Sequence, residues 1–209
     1  MVSYLKIPAM TPPEVLHYLR DTGRAWTGKG VFVELGCWLG ATGAATLAGL
    51  SKAGYDKPFY CYDRWSANES EVRKAREQGV SIVEKQNLLP LFLDNVGYDN
   101  TKAYRGSIER TVRSYPGDPI EICLLDAPKR NPIFNNVMRT LRPHLIPGVT
   151  VLGLLDYYFY RSVGRTRKAR FMAPVHYMRK NRKHFTILAE WPGLTSCVFF
   201  KVESIPKNV

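Results

Sequence analysis

Three groups of residues in this sequence have the types and spacing to do chemistry. The first opens on Val31-Phe32-Val33 and continues Glu34-Leu35-Gly36-Cys37-Trp38-Leu39-Gly40-Ala41-Thr42-Gly43. It reads as a strand, a turn whose glycines let the backbone approach a ligand, and a helix N-terminus with unpaired N–H groups. A dinucleotide's pyrophosphate calls for Gly-x-Gly-x-x-Gly. Here the spacing is Gly36-x-x-x-Gly40-x-x-Gly43, with a carboxylate, Glu34, just ahead of it. That charge opposes a pyrophosphate and suits a ligand carrying an ammonium or sulfonium group. The second group is Asp63, which closes Phe59-Tyr60-Cys61-Tyr62. A carboxylate at the end of a second strand can accept hydrogen bonds from both ribose hydroxyls of an adenosine. The third is the pair Asp126 and Asp156, each at the end of a strongly apolar run. In an open parallel sheet both face the crevice beyond the strand ends, where gathered carboxylate oxygens suit Mg²⁺.

Positioning these residues takes alternating strands and helices. Apolar runs predict strands at 31–35, 59–62, 102–104, 121–125 and 150–155. Helical patterns fall at 41–53, at 69–96 with a break near Leu89-Pro90, at 108–115 and at 133–141. Before them, Thr11 is the expected cap of a short helix with Pro12 and Pro13 in its first turn, ending near Gly23. After them, two strand-like runs at 184–189 and 196–202 flank Glu190-Trp191-Pro192-Gly193, a hairpin turn. The pattern predicts an α/β fold: a doubly wound, mostly parallel sheet with a C-terminal antiparallel hairpin, whose reversed strand lies at or near an edge. It forms one domain over 1–209, with an N-terminal helical segment at 1–28 and a basic insertion at 161–183.

On these residues the chain resembles the class I S-adenosylmethionine-dependent methyltransferases. Glu34-Leu35-Gly36-x-x-x-Gly40-x-Thr42, then Asp63, then Gly106-Ser107-Ile108-Glu109, are similar to that family's successive cofactor motifs. The resemblance covers about 31–158 and resumes at the hairpin. It implies a Rossmann-like fold and a cofactor held by Glu34, Gly36, Trp38, Gly40, Thr42, Asp63, Ser107, Ile108 and Asp126. Within that set it implies Gly36 and Trp38 for the methionine part, Asp63 for the ribose, and Ser107 with Ile108 for the adenine. The crevice is similar to that of metal-dependent O-methyltransferases of the catechol and macrocin types. That likeness implies Mg²⁺ on Asp126 and Asp156, catalysis by Asp126 and Lys129 with Lys129 as general base, and a sugar or phenolic hydroxyl as acceptor. The sequence departs from the pattern in one place: Leu155 and Tyr157, not an acid or amide, flank Asp156.

Composition bounds the alternatives. The 209 residues carry a formal net charge of +12. The stretch from Arg161 to Lys183 holds Arg165, Arg167, Lys168, Arg170, Arg179, Lys180 and Arg182 without an acidic residue. It can attract an anionic small acceptor or the phosphates of RNA, which makes an RNA methyltransferase the alternative reading. Its spacing does not choose between a lid and a contact between subunits of a homo-oligomer. A nicotinamide-dependent oxidoreductase is disfavoured by the glycine spacing and by the lack of a Tyr-x-x-x-Lys pair. A binding protein that keeps the fold without the chemistry stays open, because of the missing third metal ligand. Cys37, Cys61, Cys123 and Cys197 form no Cys-x-x-Cys pair and read as buried reduced thiols, which with no secretory leader or membrane span points to the cytoplasm.

Overall fold

The computed structural model describes residues 3–207. Its strands are β1 (Val31–Leu35), β2 (Phe59–Asp63), β3 (Thr101–Arg105), β4 (Ile120–Leu125), β5 (Val151–Leu154), β6 (Phe185–Glu190) and β7 (Val198–Val202). They form one sheet in the order β3-β2-β1-β4-β5-β7-β6. β1 to β5 pair in parallel, and β7 runs antiparallel to both β5 and β6. The reversed strand therefore lies one place in from the edge. Strand order switches direction between β1 and β4, and open α/β sheets bind their ligands beyond such a point.

The helices are α1 (Pro13–Arg24), α2 (Ala41–Lys52), α3 (Glu69–Glu77), α4 (Leu89–Val96), α5 (Ile108–Thr111), α6 (Ile133–Leu141), α7 (Arg165–Lys168) and α8 (Ala173–Lys180). They cover both faces of the sheet, so the central strands read as apolar throughout. β1 shows how its residues divide. Val31, Val33 and Leu35 join the cluster that holds Phe134 and Met138 of α6. Phe32 points the other way, into the cluster formed with α1, α2 and α4. By the same alternation Glu34 faces α2, not the crevice.

Two expectations need correction. Thr11 does not cap α1: Pro12 occupies the N-cap position and no side chain bonds there. The break between α3 and α4 is earlier and wider than Leu89-Pro90. Pro90 instead sits in the first turn of α4, where its missing N–H costs nothing. The basic stretch lies between β5 and β6, and within it α8 buries Pro174, Val175, Tyr177 and Met178 while Arg179 and Lys180 stay exposed. Its cations also meet aromatic rings: the Arg161 guanidinium lies 3.8 Å from the Tyr158 centroid.

All four cysteines are buried and free. Among the described residues, no helix is long and apolar enough to cross a membrane.

Candidate active site

The turn after β1 is stitched to its neighbours by backbone bonds. The Gly36 N–H donates to the Tyr62 carbonyl at 2.8 Å, and the Asp126 N–H to the Leu35 carbonyl at 2.9 Å. Gly36 has φ +92°, and a Cβ there would lie 2.6 Å from the Ala127 nitrogen. Only glycine lets the loop lie this close to the turn after β4. Asp63 holds the rest of the loop. Its Oδ2 accepts from the N–H groups of Cys37 at 2.8 Å and Trp38 at 3.0 Å, and its Oδ1 from Trp65 at 2.7 Å. Trp38 adopts φ +44°, a conformation that costs a non-glycine residue about 1–3 kcal/mol and needs such anchoring.

Glu34 is placed differently from the sequence expectation. It is fully buried, accepts a hydrogen bond from the Thr42 hydroxyl, and leaves Oε2 without a partner. Burial pushes its carboxyl up to about 8. It lies beneath the loop on the α2 side, bonded to Thr42. Gly40 caps α2 in the left-handed conformation without a side-chain bond. That leaves the helix N-terminus at Ala41 and Thr42 free to receive an anion such as a carboxylate. Ser107 and Ile108 follow β3 directly, and the Gly106 N–H donates to the Asp63 carbonyl at 2.9 Å. Gly36, Trp38, Gly40, Thr42, Asp63, Ser107 and Ile108 thus gather at the carboxyl ends of β1, β2 and β3.

A cavity of about 670 Å³ opens beyond β4 and β5. Asp126, Lys129, Asp156 and Phe159 form its polar end. Leu5, Ile7, Met10 and Pro12 wall one side, and Leu194 and Cys197 the other. A narrower cleft of about 30 Å³ lies between residues 8–11 and the loop residues Gly36, Trp38 and Thr42. Asp126 borders both spaces. The part played by this N-terminal strap and by the turn before β7 has no signature in the sequence. Nor does the clip that holds the strap: the Gln78 side-chain amide accepts from the Ala9 N–H at 2.8 Å and donates to the Ala9 carbonyl at 3.1 Å. Neither contact leaves a local sequence signal, since the partners are 69 residues apart. None of the basic residues at 161–183 lines the cavity, whereas residues 5, 7 and 9–13 do.

At the polar end, Lys129 forms an ion pair with Asp156, and its ammonium stands 4.4 Å from the Phe159 ring centroid. Burial raises the Asp126 carboxyl well above the usual range, the facing Asp156 charge raises it further, and Lys129 opposes both. This donor set does not fit a divalent ion. No cluster of three His, Cys, Asp or Glu side chains exists among the described residues, and an ammonium already contacts Asp156. Of the ligands expected for Mg²⁺, the site offers Asp126 and Asp156 alone, with Lys129 against the latter. An adenosyl sulfonium cofactor fits better: the N-terminus of α2 carries no side-chain cap, and Asp63 stands at the end of β2.

No sequence profile of a known family matches the chain, and no curated protein matches it in sequence. Solved structures do match in shape. The O-methyltransferase NovP superposes with a TM-score of 0.68 at 16% identity, over 94% of this chain and 83% of NovP. A Podospora anserina methyltransferase, PaMTH1, solved with S-adenosylhomocysteine, gives 0.60 at 13% identity over 93% and 80%. The calicheamicin methyltransferase CalS11 gives 0.58 at 15% identity over 90% and 77%. The fold of this chain is that of these methyltransferases.

Proposed function

We propose that the protein is an S-adenosylmethionine-dependent O-methyltransferase acting on the hydroxyl of a small molecule. The observation that carries this reading is the position of Asp126, which borders both the cleft under the glycine loop and the 670 Å³ cavity. A methyl group passing from one space to the other would cross beside its carboxylate. The lining mixes apolar side chains such as Leu5, Ile7 and Leu194 with polar ones such as Thr11, Gln78 and Ser196, which suits a phenolic or a sugar hydroxyl, and Lys129 is the one basic side chain among the described residues that line it. When bound, the cofactor supplies a methyl carbon activated by its sulfonium. Asp63 would hold the ribose with the lone-pair capacity its backbone bonds leave free, Ser107 and Ile108 would flank the adenine, and Gly36, Trp38, Gly40 and Thr42 would cradle the methionine end.

Asp126 would take the acceptor's hydroxyl proton as its oxygen becomes methylated. A raised carboxyl is the stronger base once ionised, so the acid limb of the pH–rate profile should sit above the ordinary carboxylate range. Proximity and alignment supply most of the remaining acceleration. The four buried thiols suit a reducing compartment, consistent with the cytoplasm.

Calorimetric titration with S-adenosylhomocysteine tests the cofactor half. Micromolar binding to the wild type that is lost in Asp63→Ala supports the assignment, and folded protein that ignores the ligand overturns it. A panel of phenols and sugars with methyl-labelled cofactor then tests the acceptor half. Labelling of RNA instead of the panel would transfer the reading to the basic surface.

A further inference from the structure

The missing third metal ligand and the position of Lys129 belong to one arrangement. Lys129 follows Asp126 by three residues in a tight turn, where its own N–H donates to the Ala127 carbonyl at 2.8 Å. That turn brings the side chain back over the end of β4. Its ammonium is held by the Asp156 carboxylate on one side and by the Phe159 ring on another. The Lys129 side chain remains 30% exposed and lines the acceptor cavity. A third N–H is therefore free to meet an oxygen placed there.

We propose that the Lys129 ammonium is a built-in cation that takes the place of a divalent metal between Asp156 and the acceptor oxygen, so that methyl transfer proceeds without a metal ion. This rests on the methyltransferase reading for the identity of the acceptor. The competition for the site does not, because it is electrostatic. A dication approaching Asp156 would meet a positive charge already in contact with that carboxylate, and would find only Asp126 as a further acidic ligand. The ammonium donates its free hydrogen bond to the acceptor oxygen as the hydroxyl proton leaves for Asp126, and it stabilises the developing negative charge there. An ammonium has no lone pair for that proton. Lys129 is thus the electrostatic partner of the reaction and Asp126 the base, which revises the general-base role suggested by resemblance.

Mn²⁺ alone is the probe, followed by the paramagnetic signal of the free ion, on the intact protein. The wild type and Lys129→Arg should leave millimolar Mn²⁺ free. Lys129→Met keeps the stem, removes the charge and should bind one Mn²⁺ at least about tenfold more tightly than the wild type, the equivalent of about 1.4 kcal/mol. Lys129→Met,Asp156→Asn should lose that binding. Micromolar Mn²⁺ on the wild type would overturn the proposal, and so would a folded Lys129→Met that ignores the ion. In the methyl-transfer assay, chelator should change the wild-type rate by less than about twofold, while a fall of more than about tenfold that Mg²⁺ restores would also overturn it. If no acceptor is ever methylated, the functional reading fails, but the Mn²⁺ titration still decides the role of Lys129.

Discussion

The glycine-loop half of the crevice, proposed for the cofactor, and the cavity half, proposed for the acceptor, are built by different means. Around the glycine loop every functional residue lies within a few positions of a strand end, and backbone bonds to Tyr62, Leu35 and Asp63 set its place. Around the acceptor cavity, residues from positions 5, 78, 126, 156 and 194 converge from separate elements. Local backbone bonds such as Phe159 N–H to the Asp156 carbonyl hold each piece, and the Gln78 side chain ties the strap across to α3. The first half is rigid because short-range geometry over-determines it. The second can change shape at the cost of a few exposed hydrogen bonds, which suits a site that must accept and release a bulky acceptor.

The sharpest way to break this contrast is Gly36→Ala. A Cβ 2.6 Å from the Ala127 nitrogen, at φ +92°, has no flexible neighbour to yield. Affinity for S-adenosylhomocysteine should fall by about 100-fold or more, roughly 3 kcal/mol, with a lower Tm by calorimetry. Retained affinity would mean that the loop is softer than its bonding suggests. Asp63→Asn comes next. It keeps the shape but replaces one acceptor oxygen with an amide, and loss of charge-assisted bonds predicts a weakening of about 10- to 100-fold in the same titration.

Glu34→Gln acts on stability rather than binding. The native carboxyl, raised from an ordinary 4.5 to about 8, keeps a proton that the unfolded chain releases. Native stability should therefore decline as pH rises from about 4.5 to about 8, by at most about 1.4 kcal/mol per pH unit. Denaturant titrations of the glutamine variant across that range should show a flatter profile, and an unchanged slope would place the proton elsewhere. The smallest effect belongs to Gln78→Ala, which removes both bonds to Ala9. It should raise the acceptor KM by about threefold with little change in cofactor affinity, since exposed bonds contribute about 0.5–1.5 kcal/mol each. Equal losses on both ligands would show that the two halves are mechanically one.

The same contrast explains what could be read from the sequence. Val31–Leu35, the α2 start at Ala41 and Asp63 were legible because strand, turn and helix chemistry is local. Asp126 and Asp156 were placed in one crevice correctly, since parallel strands end together. Their partner was not legible as an ion pair, because nothing in the spacing says that Lys129 folds back onto Asp156. Glu34 misled for a related reason: its type suggested a ligand contact, while strand alternation turned it under α2. The strap was invisible, because short apolar residues at 5–13 carry no sign of what they will cover.

The strap also has a kinetic consequence. Residues 8–11 lie over the glycine loop across a cleft of about 30 Å³, roughly one water's share of liquid volume, while residues 5–13 wall the acceptor cavity. One segment thus borders both spaces. On the proposed function, an acceptor seated under it would bar exchange of the cofactor behind, and the expected order is cofactor on first, demethylated cofactor off last. Product-inhibition patterns should then show S-adenosylhomocysteine competing with the methyl donor and acting noncompetitively against the acceptor, whereas random-order patterns would mean that the strap opens independently over its two ends.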